Sequence, residues 1–238
     1  MDGKDGIPQY QRHDLVWLDD EAWAAVLQTT VLQTPAAPDL LRQWQQQEWP
    51  AVVTRRHPDV AEDEVCIGFP LPPVDGNKPR FAAIVKAEHI AVHQSALSLH
   101  GVLAVAPIIW QAALQNLHQQ ALMAGIKLRV YGSLAMQFLT GQNYLSETSD
   151  IDILFRPFHQ AQLRAGLALL QEFQQLLPLD GEIVFPGEAA VAWKEWALPA
   201  DTEQEFSQQR VIVKGMHSVS LRTRQSLFAH LPEGELPC

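Results

Sequence analysis

The chain has 238 residues, 47% of them hydrophobic and 18% charged, enough apolar material for one large domain or two small ones. That composition excludes a disordered polar chain, and a formal net charge of −10 argues against DNA as a partner. Two cysteines, Cys66 and Cys238, make neither a disulfide framework nor a zinc spacing.

The polar start MDGKDGIPQYQRHD lacks the apolar core of a signal peptide. The longest apolar stretch, Gly101 to Trp110, is short and contains Pro107, so no membrane span is expected and a cytoplasmic location is. HDLVWL reads as a strand, DDEAWAAVLQ as a helix with an acidic first turn, and WPAVVTRR as a strand ending in Arg55 and Arg56. The Pro-rich span FPLPPVDGNKPR, with a turn signal at Asp75-Gly76, separates VCIGF from FAAIVKAEHI, which fits either strand or helix. Residues 93 to 109 have no clear period, and the domain boundary is placed there: 1–92 as a smaller α/β domain, 93–238 as the second.

The second half is more regular. WQAALQNLHQQALMAG is an amphipathic helix, IKLRVYG a strand, SLAMQFLTG a helix, DIDILF a strand and FHQAQLRAGLALLQEFQQLL a helix. LDGEIVF follows as a strand, AAVAWKEWAL as a short helix, RVIVKGM as a final strand and VSLRTRQSLFAHL as a last helix. Strands separated by helices give an α+β or α/β sheet.

Three features carry chemistry. A strand that turns through Gly132-Ser133 into a helix offers backbone N–H groups and a hydroxyl to phosphate. Asp150 and Asp152, two apart in D-I-D-I-L-F, leave the same face of a strand, and their mutual repulsion becomes a binding site once a divalent cation is present. Asp180 and Glu182, in L-D-G-E-I-V-F, form a second pair at strand spacing, either of which supplies a third ligand for two Mg²⁺ around a transferring phosphoryl group. Weaker signals are a local basic set, Arg210, Lys214, His217, Arg222 and Arg224, of which Lys214 is preferred for phosphate because it follows the apolar run VIV. Trp193 and Trp196 read as core, and His13 as a structural residue with no visible partner.

G-S followed by D-x-D on the next strand and a carboxylate on a later one resembles the polymerase-β-like nucleotidyltransferase superfamily. The stretch between Ser133 and Asp150 is longer than usual there, and the extra TGQNYLSETS is similar to a narrower group, malonate decarboxylase holo-acyl-carrier-protein synthase (phosphoribosyl-dephospho-CoA transferase). RHDLVWL, VVTRR, YGSLAMQFLTG, YLSETSDIDILF and LDGEIVFPGEAAVAWKEW carry that likeness from about residue 12 to about 222. The resemblance implies a polymerase-β-like fold in the C-terminal half, Mg²⁺, triphosphoribosyl-dephospho-CoA as donor and the apo acyl-carrier subunit of malonate decarboxylase as acceptor. With that chemistry, Asp150, Asp152 and a third acid hold metal while Gly132 and Ser133 hold the triphosphate. Glu182, inside its strand, is preferred as that acid, and Asp180 either supports the metal ligands or serves as base for the attacking serine hydroxyl. The alternatives are a citrate lyase carrier or another acceptor, and a binding module that keeps the fold without catalysis.

Overall fold

The computed structural model describes residues 10–31, 37–73 and 78–234 and divides into two units, Met1–Ser95 and Ala96–Cys238. The polar N-terminal stretch up to residue 9, the Asp75-Gly76 turn and Cys238 lie outside the described residues.

In the first unit, β1 (Leu15–Leu18), α1 (Asp20–Val31), α2 (Ala37–Gln46), β2 (Ala51–Val53), β3 (Glu64–Pro70), β4 (Arg80–Lys86) and β5 (Ile90–Gln94) form a sheet of order β4-β3-β2-β1-β5. Every pairing is antiparallel, so this unit is of the α+β kind rather than the alternating α/β kind. FAAIVKAEHI is strand, then a 3₁₀ turn at Ala87–His89, then the start of another strand. The Asp19 carboxylate accepts the Ala22 N–H at 2.9 Å and so caps α1. Trp23 and Trp44 pack their rings on Phe69 at 5.3 and 6.1 Å, the centre of this unit's core.

The second unit holds β6 (Leu97–Ser98), α3 (Leu99–Val102), α4 (Ile108–Met123), β7 (Leu128–Tyr131), α5 (Gly132–Thr140), β8 (Ile151–Phe155) and α6 (Gln160–Phe173). It continues with β9 (Leu179–Phe185), β10 (Ala189–Ala192), α7 (Trp193–Trp196), α8 (Glu203–Gln208), β11 (Arg210–Lys214), β12 (Val219–Thr223) and α9 (Arg224–Phe228). The sheet order is β12-β11-β10-β9-β8-β7-β6, antiparallel except for β8 and β9, which are parallel and joined through α6. Alternation along the strands sorts the side chains. Ile151, Ile153 and Phe155 are buried on one face, where Phe185 meets Trp196 at 4.6 Å. The opposite face carries Asp152, Asp180, Glu182 and Lys214.

Two expected helices are partly strands. AAVAWKEWAL begins as β10, because the turn after Phe185, with Gly187 and Glu188 at φ of 76° and 59°, folds it back along β9. VSLRTRQSLFAHL begins as β12: the Gly215 N–H donates to the Ser218 carbonyl at 2.9 Å, closing a hairpin with β11. Helix begins only at Arg224, where the Thr223 hydroxyl accepts the Ser226 N–H at 3.3 Å. In both segments, helix-tolerant residues are held extended by ladder bonds to a neighbour remote from any local window. Among the described residues no helix is long and apolar enough to cross a membrane.

Candidate active site

The site is built where β7 ends. Tyr131 is still extended (φ −131°, ψ −168°), and the chain then turns through Gly132 at φ +69° directly into α5. No side chain of Tyr131 caps that helix. Asp152, half-buried on β8, is the register partner of Tyr131. Its carboxylate fills the space beside Gly132: a Cβ built there would stand 2.0 Å from Oδ2 and 2.8 Å from Cγ of Asp152. Only glycine satisfies both the left-handed backbone and this approach. The carboxylate therefore lies at the start of α5, the end of a helix that favours negative charge, and Ser133 follows in the first turn.

Asp150 is exposed and precedes the first residue of β8. The segment that delivers it is pinned rather than loose. Gln137 of α5 accepts the N–H groups of Tyr144 and Leu145, each at 3.2 Å. The buried Ser149 hydroxyl accepts the Ser146 N–H at 2.9 Å. Tyr144 is itself buried, which pushes its hydroxyl pKa up, with the Thr140 hydrogen bond opposing. The inserted stretch quoted above is thus a strap from α5 to β8.

On β9, Asp180 is in register with Asp152, whereas Glu182 is in register with Leu154. Between them Gly181 has φ +122°, and an added Cβ would lie 1.9 Å from the Ile153 carbonyl oxygen, so a side chain there would force β8 and β9 apart. The Asp180 side chain is 43% exposed and has the Lys194 ammonium 3.7 Å from Oδ1. Glu182 is only 5% exposed in its side chain, and Lys214 donates to its Oε1 at 3.1 Å.

Among the described residues no three acids, histidines or cysteines converge into a ready-made metal cage. The donor set still suits magnesium, which is characteristically held by one or two carboxylates plus the phosphates of its substrate. Asp152 and Asp180 are register partners on adjacent strands, so their Cα atoms are neighbours and both carboxylates leave one face.

The remaining charged residues separate into surface and scaffold. Arg224 is fully buried and not part of a basic face. It donates to the carbonyls of Glu195 (2.8 Å) and Leu198 (3.1 Å), and its guanidinium lies 4.6 Å from the Phe206 ring centre. Burial lowers its pKa, while Glu195 acts in the opposite sense. Arg210 and His217 are exposed, and Arg222 is half-buried. Arg56 is a loop pin, donating to the carbonyls of Val60, Ala61 and Glu64. Trp193 and Trp196 are core, each 1% exposed. His13, at φ 72°, does have a partner: its Nε2 is 3.2 Å from an Arg12 nitrogen. Sequence reasoning missed Lys194 and Gln137, neither of which has a local pattern to mark it. It also missed the pair formed by buried Asp14, just before β1, and His93 of β5, 2.7 Å apart.

Comparison with known proteins agrees with this division of the chain. Residues 97–225 match the family described as phosphoribosyl-dephospho-CoA transferase MdcG C-terminal domain, and residues 11–96 match the corresponding N-terminal domain. A phosphoribosyl-dephospho-CoA transferase of Xanthomonas campestris pv. campestris (strain 8004) is 37% identical over 219 residues, 91% of this chain and 96% of that protein. One of Xanthomonas euvesicatoria pv. vesicatoria is 39% identical over 220 residues, with the same shares of 91% and 96%. One of Bradyrhizobium diazoefficiens is 36% identical over 208 residues, 87% of this chain and 90% of that protein. No solved structure matches. Both domain matches and full-length relatives at this identity place the chain in the phosphoribosyl-dephospho-CoA transferase family.

Proposed function

We propose that the C-terminal unit has a polymerase-β-like nucleotidyltransferase fold and transfers the 2'-(5''-phosphoribosyl)-3'-dephospho-CoA group from its triphosphate precursor to a serine of the apo acyl-carrier subunit of malonate decarboxylase, with release of diphosphate. The observation that carries this reading is Asp152 pressed against Gly132 at the start of α5, with Asp180 in register beside it. A helix start suited to phosphate and two adjacent strands that present carboxylates meet there.

In the reaction the serine oxygen attacks the α-phosphorus, a new P–O bond forms, and the bond to the diphosphate leaving group breaks. Mg²⁺, when bound, supplies charge neutralisation at the phosphates and lowers the cost of deprotonating the attacking hydroxyl. Asp152, with Asp150 on the chain just before β8, offers the carboxylates for it. Of the two further candidates, register favours Asp180, because Glu182 is buried and held by Lys214. Gly132 and Ser133 offer backbone N–H and hydroxyl donors to the triphosphate, and Lys214 a positive charge. In this reading a carboxylate not committed to metal accepts the serine proton.

Intact-mass measurement of purified apo carrier subunit, incubated with the protein, Mg²⁺ and the triphosphoribosyl donor, tests the reading. A mass gain equal to one phosphoribosyl-dephospho-CoA group, lost when the carrier serine is replaced by alanine, is the expected result. An unmodified malonate decarboxylase carrier beside a modified citrate lyase carrier would reassign the acceptor.

A further inference from the structure

Lys194 and Lys214 stand in a relation to the carboxylates that phosphate binding alone does not explain. Each lysine sits on one of the two acids of β9: Lys194 on Asp180 at 3.7 Å, Lys214 on Glu182 at 3.1 Å. The strand between Glu182 and Lys214 makes the second contact possible. β10 presents Ala192 opposite Glu182 and Ala190 opposite Lys214, so the intervening strand puts only small side chains between the two. Lys194 follows the same strand, with its ammonium 5.9 Å from the ring centre of buried Trp193, a cation–π contact that limits its wandering. The Lys194 side chain is 51% exposed, so it has room to leave Asp180.

An ammonium and a divalent cation compete for the same carboxylate oxygens. A magnesium ion must approach to about 2.1 Å, and it attracts the carboxylate with twice the charge. Once displaced, the lysine is left at the rim of the site with its charge uncompensated, beside the place where a triphosphate brings several negative charges. Two binding events that each remove a competitor of the other are coupled, and the coupling is reciprocal.

We propose that Lys194 is an exchangeable counter-ion: it neutralises Asp180 in the resting enzyme and passes to the phosphates of the donor when a divalent cation takes that carboxylate. Metal and triphosphate then bind cooperatively, and Lys194 is a positioning residue for the transfer. This inference rests on the metal-dependent reading above.

Mn²⁺ binding to the full chain, followed by electron paramagnetic resonance with and without inorganic triphosphate, is the test. Lys194→Met is expected to bind Mn²⁺ about two- to fivefold more tightly than wild type when no triphosphate is present, the range that an exposed ion pair commands. With triphosphate present, the tightening of Mn²⁺ binding should shrink relative to wild type, and Lys194→Arg should restore it. Lys214→Met strands the buried Glu182 carboxylate and can lose stability, so Lys194→Met carries the test. A purely structural lysine would give the opposite sign or none: unchanged or weaker Mn²⁺ binding by Lys194→Met, at native melting temperature, overturns the exchange. Asp152→Asn separates this from failure of the underlying reading. If wild type binds Mn²⁺ and Asp152→Asn does not, the metal reading stands whatever the lysine variants do. If Asp152→Asn binds as wild type does, both proposals fall.

Discussion

Replacing Gly132 by alanine separates the cost of a backbone conformation from the cost of moving a carboxylate. At φ +69° an alanine is strained by about 1–2 kcal/mol. Its Cβ would also meet Asp152 Oδ2 at 2.0 Å, where real contacts stay beyond 3.0 Å, so the carboxylate must retreat by about 1 Å or more. The obstacle is a side chain and can rotate away, which limits the structural penalty. With about 2–4 °C of melting temperature per kcal/mol for a chain of this size, Gly132→Ala should melt about 2–8 °C lower. Activity should fall much further, because a misplacement of about 1 Å at a reacting centre costs on the order of 100-fold. Gly141, at the other end of α5, is the control. It has nearly the same backbone, φ +67°, with nothing within 4 Å of an added Cβ, so Gly141→Ala should lose the same stability and keep its activity. Melting curves and carrier-modification rates for both variants decide the matter. Equal activity in the two would refute the claim that the space at Gly132 exists to seat Asp152.

Other sites give independent tests. Gly181→Ala should destabilise by at least about 3 kcal/mol, read in a denaturant melt, because its Cβ would strike the Ile153 backbone at 1.9 Å, and backbone cannot rotate aside. Arg224→Met should cost about 3 kcal/mol by calorimetry, since it removes a fully buried guanidinium and the donor to the Glu195 and Leu198 carbonyls. His118 stacks on His100 at 5.1 Å, and burial, then the charge of His100, lowers its pKa below the ordinary 6.5. A lowered folded-state pKa means the unfolded chain takes the proton first, so this stability is complete above pH 6.5 and is lost as the pH falls below it. The melting temperature should therefore drop between pH 7 and pH 5, and less steeply in His118→Gln; parallel curves would exclude His118 as a contributor.

What the sequence disclosed and what it hid follow from how local each signal is. I-D-I-L-F declares its strand by alternation, though Asp150 falls just before it rather than on its face, and the Gly132-Ser133 start of α5 is a local turn with a local cause, so both elements were legible. The choice between Asp180 and Glu182 was not. Both lie on one face of one strand, and only the register of β9 against β8 distinguishes the partner of Asp152 from the partner of Leu154. β10 and β12 were hidden for a similar reason, because Ala-Val-Ala and Ser-Leu-Arg are extended through bonds to strands already in place. Arg224 looked like one more surface charge, since the rings and carbonyls that enclose it come from residues 195 to 206. Lys194 sits in a motif dominated by two tryptophans, and its closeness to Asp180 exists only once β9 and β10 are paired.

The most direct measurement of the central claim is Mg²⁺-dependent diphosphate release by wild type and Asp152→Asn, with apo carrier and the triphosphoribosyl donor both saturating. Asparagine keeps the shape beside Gly132 and removes the charge, so the melting temperature should be maintained. Release should fall by at least about 100-fold, the scale of losing one preorganised electrostatic contact in the transition state. Near-normal release from Asp152→Asn at any Mg²⁺ concentration would contradict the assignment of this carboxylate, and with it the site at the start of α5.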